Sequence, residues 1–209
     1  MASRKYEQRL RAESAEETRR RILDAVYERM RSAPARPISL DAVARDAQVA
    51  RSTVYAIFGS RAGLFDALAQ EVADRGGYDS LLDAVRDPDV RVTMSEGMRA
   101  SVRMYAADRD VFRVLFSMAE LDAEAVGGAV GRIDDERRVG MARLARRLGR
   151  AGLLRDGVSV ERAAHTLWVL TSFDAFDLLH TGRGLDAEAI SEVLLDMAAG
   201  ALLAPGALD

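Results

Sequence analysis

The sequence predicts an all-α protein in two parts, a three-helix N-terminal domain and a larger C-terminal helical domain. Three observations lead there. Ala, Arg and Leu dominate, only 4 of the 209 residues are Pro, and strand-like alternation of Val, Ile, Thr and aromatics is hard to find. Apolar residues recur instead at helical spacing, as in Ile22, Ala25, Val26 and Met30. Breaks at 32–37, 48–49, 59–60 and 76–77 cut the first third of the chain into short pieces, and longer segments follow.

Residues 1–14 are polar and read as a flexible N-terminal arm. A first helix is expected over about 15–32, with Glu16 and Glu17 in its first turn, where carboxylates complement the helix dipole. Pro34 and Pro37 end it, because proline lacks the amide proton that a helix interior needs. Ser39 is a natural N-cap for a second helix from Leu40 to Ala47, whose apolar side is Leu40, Val43, Ala44 and Ala47. A brief turn at Gln48-Val49 leads to a third helix from about Ala50 to Ile57. Gly59 stops that helix by taking a left-handed conformation, and Ser60 caps a fourth with an inner stripe of Leu64, Ala67, Leu68 and Val72. Gly76-Gly77 ends the fourth helix, which places the domains at 15–76 and 77–209. Beyond it, helices are expected at about 79–86, 89–107, 109–120, 122–151, 158–181 and 186–203.

Composition narrows the class. Apolar residues make up 49% and charged residues 30%, the balance of a globular domain rather than a disordered chain. No apolar run approaches the ~20 residues of a membrane-spanning helix, so no membrane partner is expected. The charged start has no apolar stretch behind it and does not read as a secretory signal. The chain has no cysteine, which removes disulfides, thiolate metal sites and a cysteine nucleophile. A cytoplasmic location is the expectation. The net charge of −3 hides an asymmetry: residues 1–66 hold 13 basic against 9 acidic groups, and the remainder 17 against 24. The N-terminal end is therefore the one suited to a polyanion.

Two short helices joined by a tight turn, the second bearing polar and basic residues, form a helix-turn-helix. The first helix braces the second, which offers its N-terminal residues to a DNA major groove. Arg51, Ser52, Thr53 and Tyr55 supply the donors, while Val54 and Phe58 turn inward. Arg61, at the start of the fourth helix, adds charge beside free backbone N–H groups and suits a phosphate.

The stretch SLDAVARDAQVARSTVYAIFGSRAGLFDAL, preceded by EETRRRILDAVYERM, resembles the N-terminal domain of the TetR (tetracycline repressor) family over roughly residues 16–70. The match lies at Thr18, Ile22, Val43, Ala44, Ala47, Val49, Thr53, Tyr55, Phe58, Ser60 and Leu64, with Arg61 keeping the charge of the family's lysine. Three positions depart from the pattern. Gln48 stands for the turn glycine, Ala50 for the turn serine and Ile57 for the histidine before Phe58. The resemblance implies that Thr18, Ser39, Tyr55 and Arg61 contact phosphates and that Arg51, Ser52 and Thr53 face base edges. Arg51 is the residue expected to read a base directly, since a guanidinium can grip guanine O6 and N7 together.

The resemblance also implies a C-terminal domain that binds a small-molecule effector and dimerises through its last two helices. The last helix shows an apolar stripe of Ile190, Val193, Leu194, Met197, Ala198 and Ala201. The one before it carries Ala164, Leu167, Thr171, Ala175 and Leu178 on one side, with Trp168, Leu170, Phe173 and Phe176 elsewhere. Helices apolar over most of their girth must be covered on several sides, by a second copy or by one thick core. Met98, Tyr105, Phe112, Phe116, Trp168 and Phe173, with Met94, Met104 and Met118, are expected to wall a roomy apolar cavity. His165, Thr171, Asp174 and Asp177 would add polar groups from one helix.

Catalysis is not expected. The only histidines are His165 and His180, and there is no Gly-rich phosphate loop or H-E-x-x-H zinc pattern. Asp134 with Asp135, or Asp174 with Asp177, are the acidic pairs a metal could use, but adjacent acids are usually solvated. No cofactor and no metal are called for. The sequence therefore predicts a homodimeric regulator that binds a palindromic operator in double-stranded DNA and is released by a small molecule. The alternative is a ligand- or partner-binding protein of the same fold that has lost operator binding.

Overall fold

The computed structural model describes the backbone of residues 2–34 and 36–208, and the side chains of residue 6 and of 12–34 and 36–208. Eleven α-helices are present among the described residues: α1 (Ala2–Ser32), α2 (Leu40–Asp46), α3 (Arg51–Phe58), α4 (Arg61–Arg75), α5 (Tyr78–Arg86), α6 (Val90–Ala107), α7 (Arg109–Leu121), α8 (Gly128–Arg150), α9 (Val160–Leu170), α10 (Phe173–Arg183) and α11 (Ala187–Leu202). A single π turn, Ala123–Gly127, precedes α8. No strand occurs among the described residues, and no described helix is long and apolar enough to cross a membrane.

Three boundaries differ from the sequence expectation. Helix α1 includes residues 2–14, where an arm was expected, because nothing between Ala2 and Ser32 is Pro or Gly. Side chains of residues 7–11 in that expected arm lie outside the described residues. The helix expected at 122–151 begins instead with the π turn, N-capped by Asp122, whose side chain accepts from Ala125 N. The helix expected at 158–181 is two. Thr171 Oγ1 donates to Leu167 O at 2.8 Å, and Ser172 caps α10 by accepting from Ala175 N at 3.1 Å. Short hydroxyl side chains offer the backbone partners that a continuous helix would supply itself, so two in succession end α9 and start α10.

The chain forms two compact units, residues 1–71 with 113–130, and residues 72–112 with 131–209. The sequence division at 76–77 falls a few residues away, and the segment 113–130, expected in the second domain, groups with the first unit. The core of the first unit joins Ile22, Leu23, Val26 and Met30 of α1 to Val43 and Ala44 of α2, Val54 of α3 and Leu64, Phe65 and Leu68 of α4, all buried. Each such large side chain contributes about 1.5–3 kcal/mol through burial. Arg29 of α1 is ion-paired with Asp46 at the end of α2.

In the second unit α6 packs against α5, α10 and α11, and α11 also against α9. Met94, Met98, Val102 and Tyr105 of α6 are buried, as are Ile190, Leu194, Ala198 and Leu202 of α11. Arg147 of α8 donates to Asp87 O, Pro88 O and Thr93 Oγ1, satisfying carbonyls freed where α5 ends. Arg109 at the start of α7 donates to the buried carboxylate of Asp177 on α10 at 2.7 Å and to Thr181 Oγ1 at 2.7 Å. Asp177 thus fixes α7 to α10 rather than joining Asp174 in an exposed acidic pair.

Candidate nucleic-acid interface and candidate ligand cavity

Helix α2 opens on Ser39, whose Oγ accepts from Ala42 N at 3.2 Å. It closes with two backbone bonds, Gln48 N to Arg45 O at 3.1 Å and Val49 N to Ala44 O at 2.9 Å. This pair of bonds is a Schellman motif, which needs a left-handed residue in the middle. Gln48 is that residue, with φ of 55°, the one described non-glycine at positive φ. The chain then leaves the turn extended through Ala50, the N-cap of α3, which has no side-chain oxygen to satisfy a free N–H. Two of the three departures seen in the sequence, at the turn glycine and at the turn serine, thus fall on positions of defined geometry.

Helix α3 ends at Gly59, φ 73°, and Ser60 caps α4 by accepting from Gly63 N at 2.9 Å. A Cβ on Gly63 would lie 2.2 Å from Phe58 O, so the close approach of α3 to α4 requires glycine there. Val54 of α3 faces the core at 1% exposure, while Arg51, Ser52 and Tyr55 are exposed and Thr53 is half-buried.

Arg51 is not idle. Its Nη1 donates to both carboxylate oxygens of Asp41 on α2 at 3.1 Å, and its Nη2 to Tyr55 Oη at 3.4 Å. The guanidinium also lies over the Tyr55 ring, 5.7 Å from its centre. Hydrogen bonding to Tyr55, then the charge of Asp41, raise the Arg51 pKa above its ordinary value.

Arg61 is held more firmly. Its Nη1 is paired with the carboxylate of Asp122, its Nη2 donates to Ile38 O at 3.4 Å, and the guanidinium lies over Phe65. The Arg61 side chain is one-third exposed. The hydrogen bond from Arg61 lowers the Asp122 pKa.

These contacts form a chain that gathers most of the predicted DNA-facing residues. Arg61 reaches Ile38 beside Ser39, and Asp41 of the same helix reaches Arg51, which reaches Tyr55. Ser52 and Thr53 follow Arg51 on α3. Thr18 stands apart from that chain. It was expected at a helix start, but it lies inside α1 and donates to Ser14 O at 2.8 Å. Its neighbour Arg19 lies over the ring of Phe58 at the end of α3. Asp41 and Asp122 were not foreseen as partners. Asp41 lies ten positions from Arg51, but Asp122 is sixty-one positions from Arg61, and no local pattern links the two.

In the second unit, several of the residues expected to wall a cavity are buried against one another. Tyr105, Phe112, Phe173 and Phe176 pack against one another, with Tyr105 edge-on to Phe112 at 5.2 Å and to Phe173 at 5.5 Å between ring centres. Edge-to-face packing matches the positive rim of one ring to the negative face of another and fills the space. Beside them lies a cavity of about 10 Å³, walled by Met98, Tyr105, Thr171 and their neighbours. That volume holds about one water, whereas ligand pockets run to several hundred Å³. Burial pushes the Tyr105 hydroxyl up to a pKa of about 12, and it donates to Thr171 O at 3.5 Å.

The other expected ligand residues are scattered. Phe116 is half-buried in the first unit, and His165 and Asp174 are exposed. Trp168 is 38% exposed on α9 beneath the guanidinium of Arg137. The break between α9 and α10 also removes the single helix that was to carry His165, Thr171, Asp174 and Asp177. A larger concavity of about 590 Å³ is an open groove at the end of α8, lined by Arg146, Arg150 and Arg155 and by none of the expected residues.

The apolar stripe of α11 divides. Ile190, Leu194, Ala198 and Leu202 serve the core of the same chain, while Met197 is 53% exposed. Val169 on α9 and Leu178 on α10 are also exposed, Leu178 at 72%.

Several solved structures share this architecture. NalD, the secondary repressor of the MexAB-OprM multidrug efflux pump in Pseudomonas aeruginosa, is 23% identical with a TM-score of 0.71, covering 92% of this chain and 99% of its own. SmeT, the repressor of the Stenotrophomonas maltophilia multidrug efflux pump SmeDEF, is 20% identical in a complex with triclosan, with a TM-score of 0.71 over 91% of this chain and 93% of its own. A Syntrophomonas wolfei protein classed as a TetR-family transcriptional regulator gives a TM-score of 0.71 at 15% identity, over 89% and 95% of the two chains. This chain has the TetR-family fold. No family model and none of the curated proteins matches the sequence.

Proposed function

We propose that the chain is a TetR-family regulator that binds a palindromic operator as a homodimer and is released by a small-molecule effector. The observation that carries this reading is the α2–Gln48–α3 corner, where a braced second helix leaves Arg51, Ser52 and Tyr55 exposed. A buried Val54 beneath that face holds α3 in place, so the polar side is free for a groove. Arg51 reads a base edge in this scheme, while Ser39, Tyr55 and Arg61 position the unit on phosphates.

Val169, Leu178 and Met197 are exposed on α9, α10 and α11, which gives these C-terminal helices apolar groups that a second copy could cover. NalD and SmeT are named as repressors, and SmeT has been seen in a complex with triclosan, which supports the repressor and effector parts of the reading. The ring-filled interior adds a condition. An effector that enters among these rings must displace them or open a minor conformation, and it acts only through tighter binding to the form that leaves DNA. Helix α4 contributes residues to both compact units and is the element through which that preference would be transmitted.

The test is selection of bound sequences from a random duplex pool by the purified full-length protein, followed by salt titration on the selected sites. An enriched palindrome whose affinity falls steeply with salt supports the reading. A folded dimer that enriches nothing at low salt overturns it and leaves the alternative, a ligand- or partner-binding protein of this fold. Engagement of both Arg51 and Arg61 by carboxylates is the feature that favours the alternative.

A further inference from the structure

The residue best suited to grip a phosphate at the start of α4 is already occupied by an anion of the chain itself. We propose that Asp122, in the turn between α7 and α8, competes with operator phosphate for Arg61 and so lowers DNA affinity in the free protein. The proposal rests on the operator-binding reading above and goes beyond it by naming the competitor.

The geometry gives Asp122 two tasks. One carboxylate oxygen takes Arg61 Nη1, and the other accepts from Ala125 N as the N-cap of the π turn. A carboxylate held by its own helix start is pre-organised, so it need not be ordered again to hold the guanidinium. Arg61 in turn ties Ile38, next to the N-cap of α2, to α4. Residues 113–130 belong to the same compact unit as α2 and α3, although the sequence places them in the effector half. A shift of the α7–α8 turn therefore changes which anion Arg61 meets. A phosphate and a carboxylate present similar oxygens to a guanidinium, and the Nη1 edge held by Asp122 is not open to a phosphate while that contact lasts. Disengagement from Asp122 becomes a step of DNA binding.

Asp122→Asn removes the charge but keeps an oxygen for the Ala125 N–H. Glu124→Gln serves as the control, because it removes one carboxylate from the same turn and Glu124 is exposed. Full-length wild type and variants are titrated with one duplex across a range of salt, alongside thermal melts. Asp122→Asn is expected to bind about three- to tenfold more tightly at moderate salt, with a salt slope steeper by about 0.9 per protomer, as for one added phosphate contact. Glu124→Gln is expected to change much less, and Asp122→Asn is expected to have no effect in an Arg61→Ala background. Equal gains from the two carboxylate variants, or a gain that survives Arg61→Ala, overturn the competition. Weaker binding by Asp122→Asn at an unchanged melting temperature also overturns it, since Asp122 would then present Arg61 to DNA rather than withhold it. If Asn lowers the melting temperature, Asp122→Ser retains a capping oxygen and gives the same comparison. Specific binding by wild type with no change in Asp122→Asn removes this proposal alone. No binding by any of the proteins removes the operator reading together with it.

Discussion

On α3, Arg51, Ser52 and Tyr55 point away from the core, whereas Tyr105, Phe112, Phe173 and Phe176 of the second unit point at one another. Both regions are helical, but they use their side chains in opposite directions. The first region leaves polar groups with spare hydrogen-bonding capacity, and the second leaves a cavity of about 10 Å³. A surface that waits for a partner can be assembled from near neighbours in the chain. An interior that admits a ligand depends on how several distant elements close, and around Tyr105 they close tightly.

The largest effect expected follows from that closure. Phe173→Ala should cost about 3–5 kcal/mol of stability, because removing a fully packed ring loses both burial and contact with neighbours that relax only in part. Ser52→Ala, on the exposed face of α3, should stay within about 0.5 kcal/mol. Urea unfolding of both variants checks the contrast. A loss below about 1 kcal/mol for Phe173→Ala would mean that the rings sit loosely enough to admit an effector without rearrangement.

Alkaline pH sharpens the same contrast through a single proton. Tyr105 has its pKa raised from 10.0 to about 12 by burial. The folded state thus keeps the phenol neutral where the unfolded chain ionises. Its contribution is fully present below pH 10 and is lost as pH rises from 10 toward 12, on the order of 2–3 kcal/mol in total. Tyr105→Phe should flatten that part of the stability profile. If the wild-type and variant profiles stay parallel up to pH 12, the hydroxyl is in contact with water and the ring cluster is open.

The DNA-facing region yields a prediction of binding rather than of stability. Arg51→Ala should cost about 1–3 kcal/mol of operator affinity and relax preference at one base position. Stability should hardly change, because the Arg51–Asp41 pair is exposed on both sides and such pairs contribute little. Binding to sites randomised at single positions distinguishes the cases. Uniform weakening at every position would place Arg51 among the phosphate contacts and leave base reading to Ser52 or Thr53.

How much of this was legible in the sequence follows from distance along the chain. The caps Ser39 and Ser60, the stop at Gly59 and the left-handed place of Gln48 are set by residues within five positions, and each stands where the pattern put it. The break of the 158–181 segment was also written locally, in Thr171-Ser172, but an apolar stripe that continues past the break masked it. Asp122 was readable as a cap yet not as the partner of Arg61, since the meeting depends on α7 and its turn folding back to the first unit. Methionines and aromatics spaced along α6, α7 and α10 were expected to wall a cavity, although their spacing alone does not separate walls from filling. Which of the two they became was decided by ring orientation, a property of tertiary packing that spacing does not encode.

The smallest effect tests the corner itself. Gln48 adopts φ of 55° at the position where the Schellman motif favours glycine. Gln48→Gly removes the Cβ crowding of the left-handed conformation but gives the unfolded chain more freedom, and the two effects oppose each other. At positive φ the first outweighs the second, so a gain of a few tenths to about 1 kcal/mol is expected. The gain should appear as a shifted urea midpoint with an unchanged slope. Operator affinity should follow only weakly, because the bonds from Gln48 N and Val49 N already hold the turn in the geometry that glycine would adopt. A loss of stability instead would show that the Gln48 side chain makes up the cost of its backbone through contacts of its own, and that the corner is tuned to glutamine.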